Sequence, residues 1–406
     1  MKNISSKPVT KCQISNSKKL KSLIFLGFLP PVNTLRKIGS TLTEEKSFPA
    51  ELLYCSKSKL AQLGCIVNKE ILFPYSYPYT SSTTRILREN FADLYKDTKK
   101  KIKIKKDDLI IDIGSNDGNL LSNFKENHKV LGVTPEKIGK IAIKKGIPTI
   151  IDYFDEKISK KIIRKYGKAK IITATNVFAH IDNINSIIKS IIKTLKHDGI
   201  FISESHYLLP LIKTVQYDTI YHEHQFYHSA FTLKKIFEKH SLKVFDADEI
   251  NTHGGSLRIY VKKNLKIKID KSVKSLLIEE EKFGIKKYQT YINFGKDVYK
   301  IRENVKKNIL KLKKNNSKII GYGSPAKATT ALNFFGISKE IDCIVEDNKL
   351  KHGKFLPGVK IPIVSKSFVK NKPDYALVLA WNFINEIERK NIDLAHKFIS
   401  IKDLEN

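Results

Sequence analysis

The feature that most constrains the fold is an apolar run that ends in a loop bracketed by two glycines. Residues 110–119 have the sequence IIDIGSNDGN. The apolar run at 109–113 predicts a buried strand, and Gly114 and Gly118 permit backbone conformations that other residues avoid. At the carboxyl edge of a parallel sheet, such a loop lets the backbone approach a ligand closely. The segment therefore predicts an α/β domain with a binding site at one edge of its sheet.

Further apolar runs follow this strand and alternate with helical patterns. They lie at residues 129–133, 170–175, 199–204, 242–245 and 257–261. Strands that alternate with helices predict a doubly wound parallel sheet. The step Gly254-Gly255 predicts the turn into the last strand.

The chain has 406 residues, which is too long for one hydrophobic core, so we expect several units. Residues 1–75 predict a small loop-rich module, and residues 76–264 hold the alternating strands and helices. Apolar positions spaced by three and four residues predict a helical connector at 265–316. A second alternating unit at 317–406 predicts a small Rossmann-like domain.

Charge and composition argue against several function classes. The net charge is +33, but the basic residues are mostly lysines spread along the chain, whereas base recognition favours clustered arginines. The first twenty residues lack the apolar core of a signal peptide, and no stretch approaches the roughly 18 apolar residues of a membrane span. Four scattered cysteines fit a reducing compartment. We therefore expect a cytoplasmic monomer or homodimer with no nucleic-acid or membrane partner.

The glycine loop differs from the loop of a dinucleotide site. Its pattern is G-x-x-x-G with Asp117 inside, whereas pyrophosphate binding favours G-x-G-x-x-G. An acidic loop repels phosphate but tolerates the amino acid end of S-adenosylmethionine, so we predict this methyl donor as the ligand. The alternative is a strand–helix turn without a ligand. The predicted contacts are Asp112, Gly114, Asn116 and Gly118.

Two later strand ends supply further candidate contacts. Thr134 occupies the position where an acid usually binds a ribose diol, and a hydroxyl can hydrogen-bond the ribose, although more weakly than a carboxylate. Asn176 and His180 follow the fourth strand, at the sheet edge where active groups collect. A simple turn residue is the alternative interpretation of Asn176.

The second unusual segment is residues 221–227, with the sequence YHEHQFY. It brings together two imidazoles, a carboxylate and two phenols, which are groups suited to proton transfer. Ser229 predicts a helix cap directly after the segment, so the segment should lie on a loop above the sheet. His222 and His224 without clear further ligands make a weak metal site. We interpret the segment as a general-base cluster, with a surface loop without function as the alternative.

Two other patterns carry weaker signals. Residues 321–327, GYGSPAK, imitate a dinucleotide fingerprint, in which Lys327 either meets a phosphate or belongs to a structural cap. Residues 12–15 and 55–58 look like two C-x-x-C pairs in which Ser15 and Ser58 replace the second thiols. Two thiols do not complete a zinc site, so bound zinc is doubtful.

Together these segments resemble the nucleotide-sugar C-methyltransferases, which use S-adenosylmethionine to methylate carbon 3 of a thymidine-diphosphate-linked 4-keto deoxysugar. The resemblance covers nearly the whole chain. Its segments are residues 26–33, 60–63 and 77–82 at the front, 112–118, 176–182, 221–224 and 253–258 in the middle, and 321–327, 356–358 and 379–382 at the end.

The resemblance implies a class I methyltransferase fold, flanked by a small N-terminal zinc-ribbon-like module and a C-terminal Rossmann-like domain. It implies that His224 removes the proton beside the ketone, while Tyr221 and His180 orient the sugar and hydrogen-bond the developing enolate oxygen. Glu223 would steady the histidine or the sugar hydroxyls. No catalytic metal is needed. The implied substrate contacts are Tyr79, Ser81, Ser82 and Lys327.

Three alternatives remain open at this point. A sugar O-methyltransferase on the same scaffold would place its base beside a hydroxyl and would not require a keto substrate. An RNA methyltransferase is favoured only by the net charge of +33. A sugar-binding protein without turnover is mildly favoured by the lost thiols, but such a protein has no need of a base cluster.

Overall fold

The computed structural model describes residues 4–40, 44–75, 77, 80–314 and 316–406. The predicted substrate contact Tyr79 lies outside these residues. The N-terminal part contains short strands and one short helix. These are β1 (Ser6–Pro8), β2 (Leu20–Leu29), β3 (Arg36–Lys37), β4 (Phe48–Cys55), β5 (Ala61–Leu63), β6 (Cys65–Val67) and α1 (Lys69–Leu72).

The central part alternates strands and helices as predicted. Its helices are α2 (Arg85–Lys101), α3 (Gly139–Lys144), α4 (Glu156–Tyr166), α5 (Ile184–Thr194), α6 (Leu208–Lys213) and α7 (Ala230–Glu238). Its strands are β7 (Leu109–Ile113), β8 (Lys129–Thr134), β9 (Thr149–Ile151), β10 (Ala169–Thr175), β11 (Leu195–His206), β12 (Phe226–Tyr227), β13 (Lys243–Ile250) and β14 (Ser256–Lys262).

The central sheet has the strand order β13-β14-β11-β10-β7-β8-β9. Every residue of β7 and β10 is buried, as expected for strands covered on both faces by helices. The prediction of a parallel sheet was wrong for β14, which runs antiparallel to both neighbours. The reason is the short turn at 251–255, since such a turn joins only antiparallel strands. The pattern also missed β9, whose three residues are only partly buried.

The C-terminal part of the chain begins with two long helices and ends in a second sheet. Its helices are α8 (Lys271–Phe283), α9 (Tyr288–Lys313), α10 (Ala326–Phe335) and α11 (Ile384–Lys390). Its strands are β15 (Ile319–Tyr322), β16 (Ile344–Val345), β17 (Lys354–Phe355), β18 (Pro362–Val364), β19 (Tyr375–Val378) and β20 (Lys397–Ser400).

Two strands cross between these parts of the chain. β12 pairs with β5, so the segment after the general-base cluster completes the N-terminal sheet β12-β5-β4-β2. β3 pairs with β17, so the N-terminal part supplies the edge of the C-terminal sheet β20-β19-β15-β16-β18-β17-β3. The domain bounds given above remain predictions. The exchanged strands fix the relative positions of the parts around the carboxyl edge of the central sheet.

Candidate active site

A cavity of about 980 Å³ lies at the carboxyl edge of the central sheet. Its volume is at the upper end of ordinary ligand sites, so it has room for a methyl donor together with a second ligand. All three parts of the chain line it. The predicted site residues on its wall are Ser81, Asp112, Gly114, Asn116, Asn176, His180, Tyr221, Glu223, His224 and Lys327. Ser82, Gly118 and Thr134 are not on the wall.

The two loop glycines lie in close contact with neighbouring side chains, and their role as ligand contacts remains a prediction. Gly114 has φ +76°, and a Cβ atom there would lie 2.2 Å from Cγ2 of Val177. Gly118 has φ +80°, and its Cβ atom would lie 2.7 Å from Cδ1 of Ile147. Both positions therefore require glycine because of the backbone turn and the neighbouring side chains. The loop is held against the segment after β10 and against helix α3.

The acid inside the loop does not face the ligand, contrary to our prediction. Asp117 is fully buried, where Oδ1 accepts a hydrogen bond from Ser81 Oγ (2.7 Å) and Oδ2 pairs with Lys145 Nζ (3.1 Å). Burial alone would raise the pKa of Asp117, but the hydrogen bonds from Ser82, Ser81 and Lys145 outweigh it and lower the pKa. Asp117 thus ties the loop to residues 81 and 82, and it sets no preference against phosphate.

The wall beside the loop offers partners suited to S-adenosylmethionine. Burial raises the pKa of Asp112 to about 7, and its carboxylate accepts a hydrogen bond from Thr173 Oγ1 (2.6 Å). Ser115 Oγ is buried and has no hydrogen-bond partner among the described residues. Asn116 Oδ1 accepts a hydrogen bond from Ser81 N (2.9 Å). A buried hydroxyl without a partner beside a carboxylate fits a ligand that brings amino and carboxylate groups.

Glu136 is a candidate contact that the sequence analysis missed. It follows β8 by two residues, it lines the cavity, and its carboxylate accepts a hydrogen bond from Thr134 Oγ1. Burial raises the pKa of Glu136. A carboxylate therefore lines the cavity after β8, two positions beyond the place where the sequence analysis expected an acid. The sequence did contain a signal for this residue, because Glu136 is a carboxylate that comes only two residues after the end of β8.

His224 is oriented by a backbone carbonyl. Its Nδ1 donates a hydrogen bond to Thr219 O (2.8 Å). A carbonyl only accepts, so Nδ1 carries the hydrogen and Nε2 carries the lone pair in the neutral ring. Burial and, to a smaller extent, the charge of Lys327 lower the pKa of His224 to about 4, although the bond to Thr219 opposes the shift. The ring is therefore neutral near pH 7 and able to accept a proton.

Aromatic rings fix the position of the His224 ring. The Tyr221 ring lies 4.2 Å from it between centroids, and the His180 ring stacks on it at 5.3 Å. Phe73 stacks on the other side of His180, also at 5.3 Å. Burial lowers the pKa of His180 well below its usual value, so this ring is neutral as well. The two predicted orienting residues therefore lie directly beside the predicted base.

Glu223 has partners other than those we predicted. Its Oε1 accepts a hydrogen bond from Asn33 Nδ2 (2.9 Å), and its Oε2 accepts one from Tyr77 OH (2.9 Å). Burial raises the pKa of Glu223 to about 7. Within the described part of the chain its side-chain bonds do not go to His224, which is held by Thr219 O instead. Glu223 thus joins the base cluster to Asn33 and Tyr77, two cavity residues that the sequence analysis did not select.

The four positions of the two C-x-x-S patterns meet in pairs. Cys12 Sγ lies 3.0 Å from Ser58 Oγ, and Ser15 Oγ lies 3.3 Å from Cys55 Sγ. Two thiols and two hydroxyls do not match the donor set of a structural zinc site. In the described ranges no group of three or more His, Cys, Asp or Glu side chains is placed to hold a metal ion. Hydrogen bonds between these thiols and hydroxyls therefore connect the 12–15 and 55–58 segments, at the positions where the zinc ligands would lie.

Three family models match successive parts of the chain. The model described as "Putative zinc binding domain" matches residues 12–73. The model described as "Methyltransferase domain" matches residues 84–246, and the model described as "C-methyltransferase C-terminal domain" matches residues 251–399. The chain is 29% identical to the C-methyltransferase NovU of Streptomyces niveus over 401 residues, which cover 97% of this chain and 95% of the relative.

Solved structures align with less than half of the chain. A S-adenosylmethionine-dependent methyltransferase from Clostridium acetobutylicum covers 45% of this chain and 93% of its own, with 16% identity and a TM-score of 0.36. The magnesium protoporphyrin IX methyltransferase of Synechocystis PCC 6803 covers 44% of this chain and 84% of its own, with 11% identity and a TM-score of 0.35.

The strand order and the matched methyltransferase domain define a class I methyltransferase that depends on S-adenosylmethionine. The C-terminal model and the full-length relative are more specific, because both are C-methyltransferases. Together, the three matched models and the relative support a C-methyltransferase that depends on S-adenosylmethionine. The predicted fold class and methyl donor are thereby confirmed. No helix in the described residues is long and apolar enough to cross a membrane.

The zinc donors lead to the first prediction. Ser15→Cys with Ser58→Cys should complete a four-thiol site, because the four side chains already face one another, and the variant should bind about one zinc per chain. The wild type should bind far less than one equivalent and should keep its melting temperature in a chelator. Elemental analysis and thermal unfolding measure both quantities. Stoichiometric zinc in the wild type, lost together with folding on chelation, would show that the hydroxyl pairs do not replace the metal.

The buried His228 ring predicts how stability depends on pH. Burial lowers the pKa of His228 to about 3, and neither ring nitrogen has a partner among the described residues. The unfolded chain takes up this proton below about pH 6.5 and the folded chain does not, so stability falls as the pH falls from 6.5 toward 3. His228→Phe should reduce this slope by about 1.4 kcal/mol per pH unit.

Urea unfolding at pH 7, 6, 5 and 4 measures the slope. His197→Phe is the control, because His197 is exposed and its removal should leave the slope unchanged. A slope that is equal in His228→Phe and the wild type would contradict the assignment of a neutral buried ring.

Proposed function

We propose that the protein transfers a methyl group to carbon beside the ketone of a keto deoxysugar linked to a nucleoside diphosphate, and that His224 removes the proton from that carbon. The observation that carries this proposal is the orientation of the His224 ring in the cavity. Its Nδ1 is bonded to Thr219 O, so its basic nitrogen is Nε2, and the ring lines the same cavity as the 114–118 loop.

Carbon accepts an electrophilic methyl group only when it is nucleophilic. A C–H bond becomes acidic enough for a side-chain base when a carbonyl lies beside it, because the electron pair moves onto the carbonyl oxygen. The proton would pass to His224 Nε2. Bound S-adenosylmethionine supplies the methyl group, and the bonding pair of the broken S–CH₃ bond remains on sulfur. The residues of this chain therefore have to hold two ligands, remove one proton and stabilise one oxyanion.

The residues around the cavity divide between these tasks. Asp112, Ser115 and Glu136 would hold the methyl donor, since they line the wall next to the loop. Tyr221 and His180 would orient the sugar beside His224, since their rings stack around it. The matched C-methyltransferase domain favours carbon over a sugar hydroxyl as the acceptor.

Glu136 gives a prediction for the binding of the methyl donor. Glu136→Gln keeps the shape of the side chain but removes the charge that would accept two ribose hydroxyls, so affinity for S-adenosylmethionine should fall by about tenfold. Calorimetry measures the dissociation constant. Glu126→Gln is the control, because this side chain is 76% exposed at the surface. An affinity unchanged by Glu136→Gln would remove Glu136 from the site.

The base gives a prediction for turnover. His224→Asn should leave the binding of both ligands nearly intact and should lower kcat by roughly 10²- to 10⁴-fold, because it removes the proton acceptor. Tyr221→Phe should cost less, since it removes one hydroxyl. Mass spectrometry of a panel of nucleotide sugars incubated with labelled methyl donor identifies the substrate and gives the rates.

Solvent exchange tests the base directly. With a 4-keto sugar and S-adenosylhomocysteine in heavy water, the wild type should incorporate deuterium at the carbon beside the ketone. His224→Asn should abolish this exchange, while His197→Asn, a surface change, should keep it. Exchange at the wild-type rate in His224→Asn would mean that another residue is the base.

A further inference from the structure

Lys327 brings a positive charge into the cavity without a matching carboxylate. Its Nζ donates hydrogen bonds to His253 O (3.3 Å) and Asn382 Oδ1 (3.4 Å), which are neutral acceptors. Among the described residues no carboxylate oxygen lies within 4.0 Å of this nitrogen. Burial lowers the pKa of Lys327, as expected for a cation withdrawn from water. The charge of Asp218 favours the protonated lysine without contacting Nζ, so the ammonium can still donate a hydrogen bond to an anionic group of a ligand.

A tryptophan and a buried carboxylate hold this lysine in place. Lys327 Nζ lies 4.5 Å from the centre of the Trp381 ring. The indole Nε1 donates a hydrogen bond to Asp218 Oδ2 (2.7 Å), and Asp218 is only 2% exposed. Asp218 Oδ1 has no hydrogen-bond partner in the described part of the chain. The carboxylate orients the indole, and the face of the indole orients the ammonium.

The same turn holds the base. Residues Tyr217–Thr219 form one turn, in which Asp218 binds Trp381 through its side chain and Thr219 binds the His224 ring through its carbonyl. The base and the cation are therefore placed by adjacent residues. Lys327 and His224 both line the cavity, and after burial the charge of Lys327 also contributes to the lowered pKa of His224.

The charged and titratable groups around Lys327 determine how a negative charge on a ligand would be stabilised there. Imidazole rings of His206, His224 and His253 lie on one side, and the charge of Lys327 disfavours protonation of each. Asp218 and Lys402 lie on the Trp381 side, with opposite charges. The positive charge of the ammonium repels the positive charge of a protonated His224. A negative charge that forms between them at the moment of proton transfer is attracted to both.

We propose that Lys327 is a further catalytic residue, whose ammonium donates a hydrogen bond to the ketone oxygen and stabilises the enolate when His224 removes the neighbouring proton. This inference rests on the proposed function. The C–H bond breaks, its proton passes to His224 Nε2, and its electron pair moves onto the ketone oxygen. Lys327 keeps its own proton.

The position of Lys327 favours the ketone over the diphosphate that we predicted from the sequence. The ketone oxygen is attached to the carbon next to the one that loses its proton, so a group that faces the base also faces this oxygen. The diphosphate is attached at the anomeric carbon, farther along the ring. Lys351 is another lysine of the cavity wall, and it already has Glu346 as a partner at 3.8 Å.

The test separates a role in chemistry from a role in binding. Lys327→Met keeps the length of the side chain and removes the charge, and it should lower kcat and deuterium exchange by about 10²- to 10³-fold at saturating sugar. The dissociation constant of thymidine diphosphate, measured by calorimetry, should change less than threefold. Lys327→Arg should restore part of the exchange. Lys327→Gln replaces the methionine variant if circular dichroism shows that the latter is unfolded.

Lys402→Met is the matched control. Lys402 Nζ also lies near the Trp381 ring, at 5.4 Å, but it pairs with Glu405 at 3.0 Å and does not line the cavity. Its exchange rate and kcat should stay within threefold of the wild type.

Two results would overturn the role of Lys327. One is exchange at the wild-type rate in Lys327→Met, and the other is weaker binding of thymidine diphosphate with unchanged kcat, which would assign the lysine to the phosphate. A wild type that neither exchanges nor methylates any keto sugar of the panel would instead refute the proposed function, and the inference with it.

Discussion

The hydrogen bond from His224 Nδ1 to Thr219 O is the interaction on which the rest of the site depends. It fixes the tautomer, since a carbonyl accepts only from a protonated nitrogen, and it leaves the lone pair on Nε2. The tilted ring of Tyr221 and the stacked ring of His180 then pack against the imidazole and hold its plane. Burial keeps the ring neutral. A proton acceptor of this kind is ready in the resting protein and needs no carboxylate behind it.

The turn that carries this carbonyl is itself held by the C-terminal part of the chain. Tyr217 OH donates a hydrogen bond to Glu405 (2.9 Å), and the Tyr217 ring packs on Phe334 and Phe335. On the other side, Glu223 reaches Asn33 in the N-terminal part (2.9 Å). The base cluster is therefore positioned by all three parts at once.

The sequence predicted the parts of the fold that depend on local patterns. The apolar runs predicted the longer strands of the central sheet, beginning with Leu109–Ile113, but not β9. Ser229 was correctly predicted as the cap of helix α7, and its side chain accepts a hydrogen bond from Thr232 N. The prediction failed where side-chain direction or distant partners decide. Asp117 was expected to disfavour phosphate at the ligand site, but its carboxylate is bound by Lys145 and Ser81. Glu136 was missed because the spacing of apolar residues does not show which side chain after β8 faces the cavity.

Glu223 shows the same limit for the candidate site. Its residue type in the 221–227 segment indicated a role in proton transfer, but its partners Asn33 and Tyr77 lie 190 and 146 residues away. Spacing along the chain cannot supply such a pairing, since only the exchange of strands between the parts brings them together. The types of the groups in the cavity were therefore predictable, whereas their pairing was not.

The arrangement of charge in the cavity distinguishes the resting site from the reacting one. At rest, Lys327 and a neutral His224 share a wall, and the ammonium disfavours uptake of a proton from water by the imidazole. In the proposed reaction the proton reaches His224 only as the oxyanion forms, and this negative charge offsets the repulsion between the two cations. The cationic wall therefore binds the transition state more tightly than the keto substrate, which is the condition for a faster chemical step.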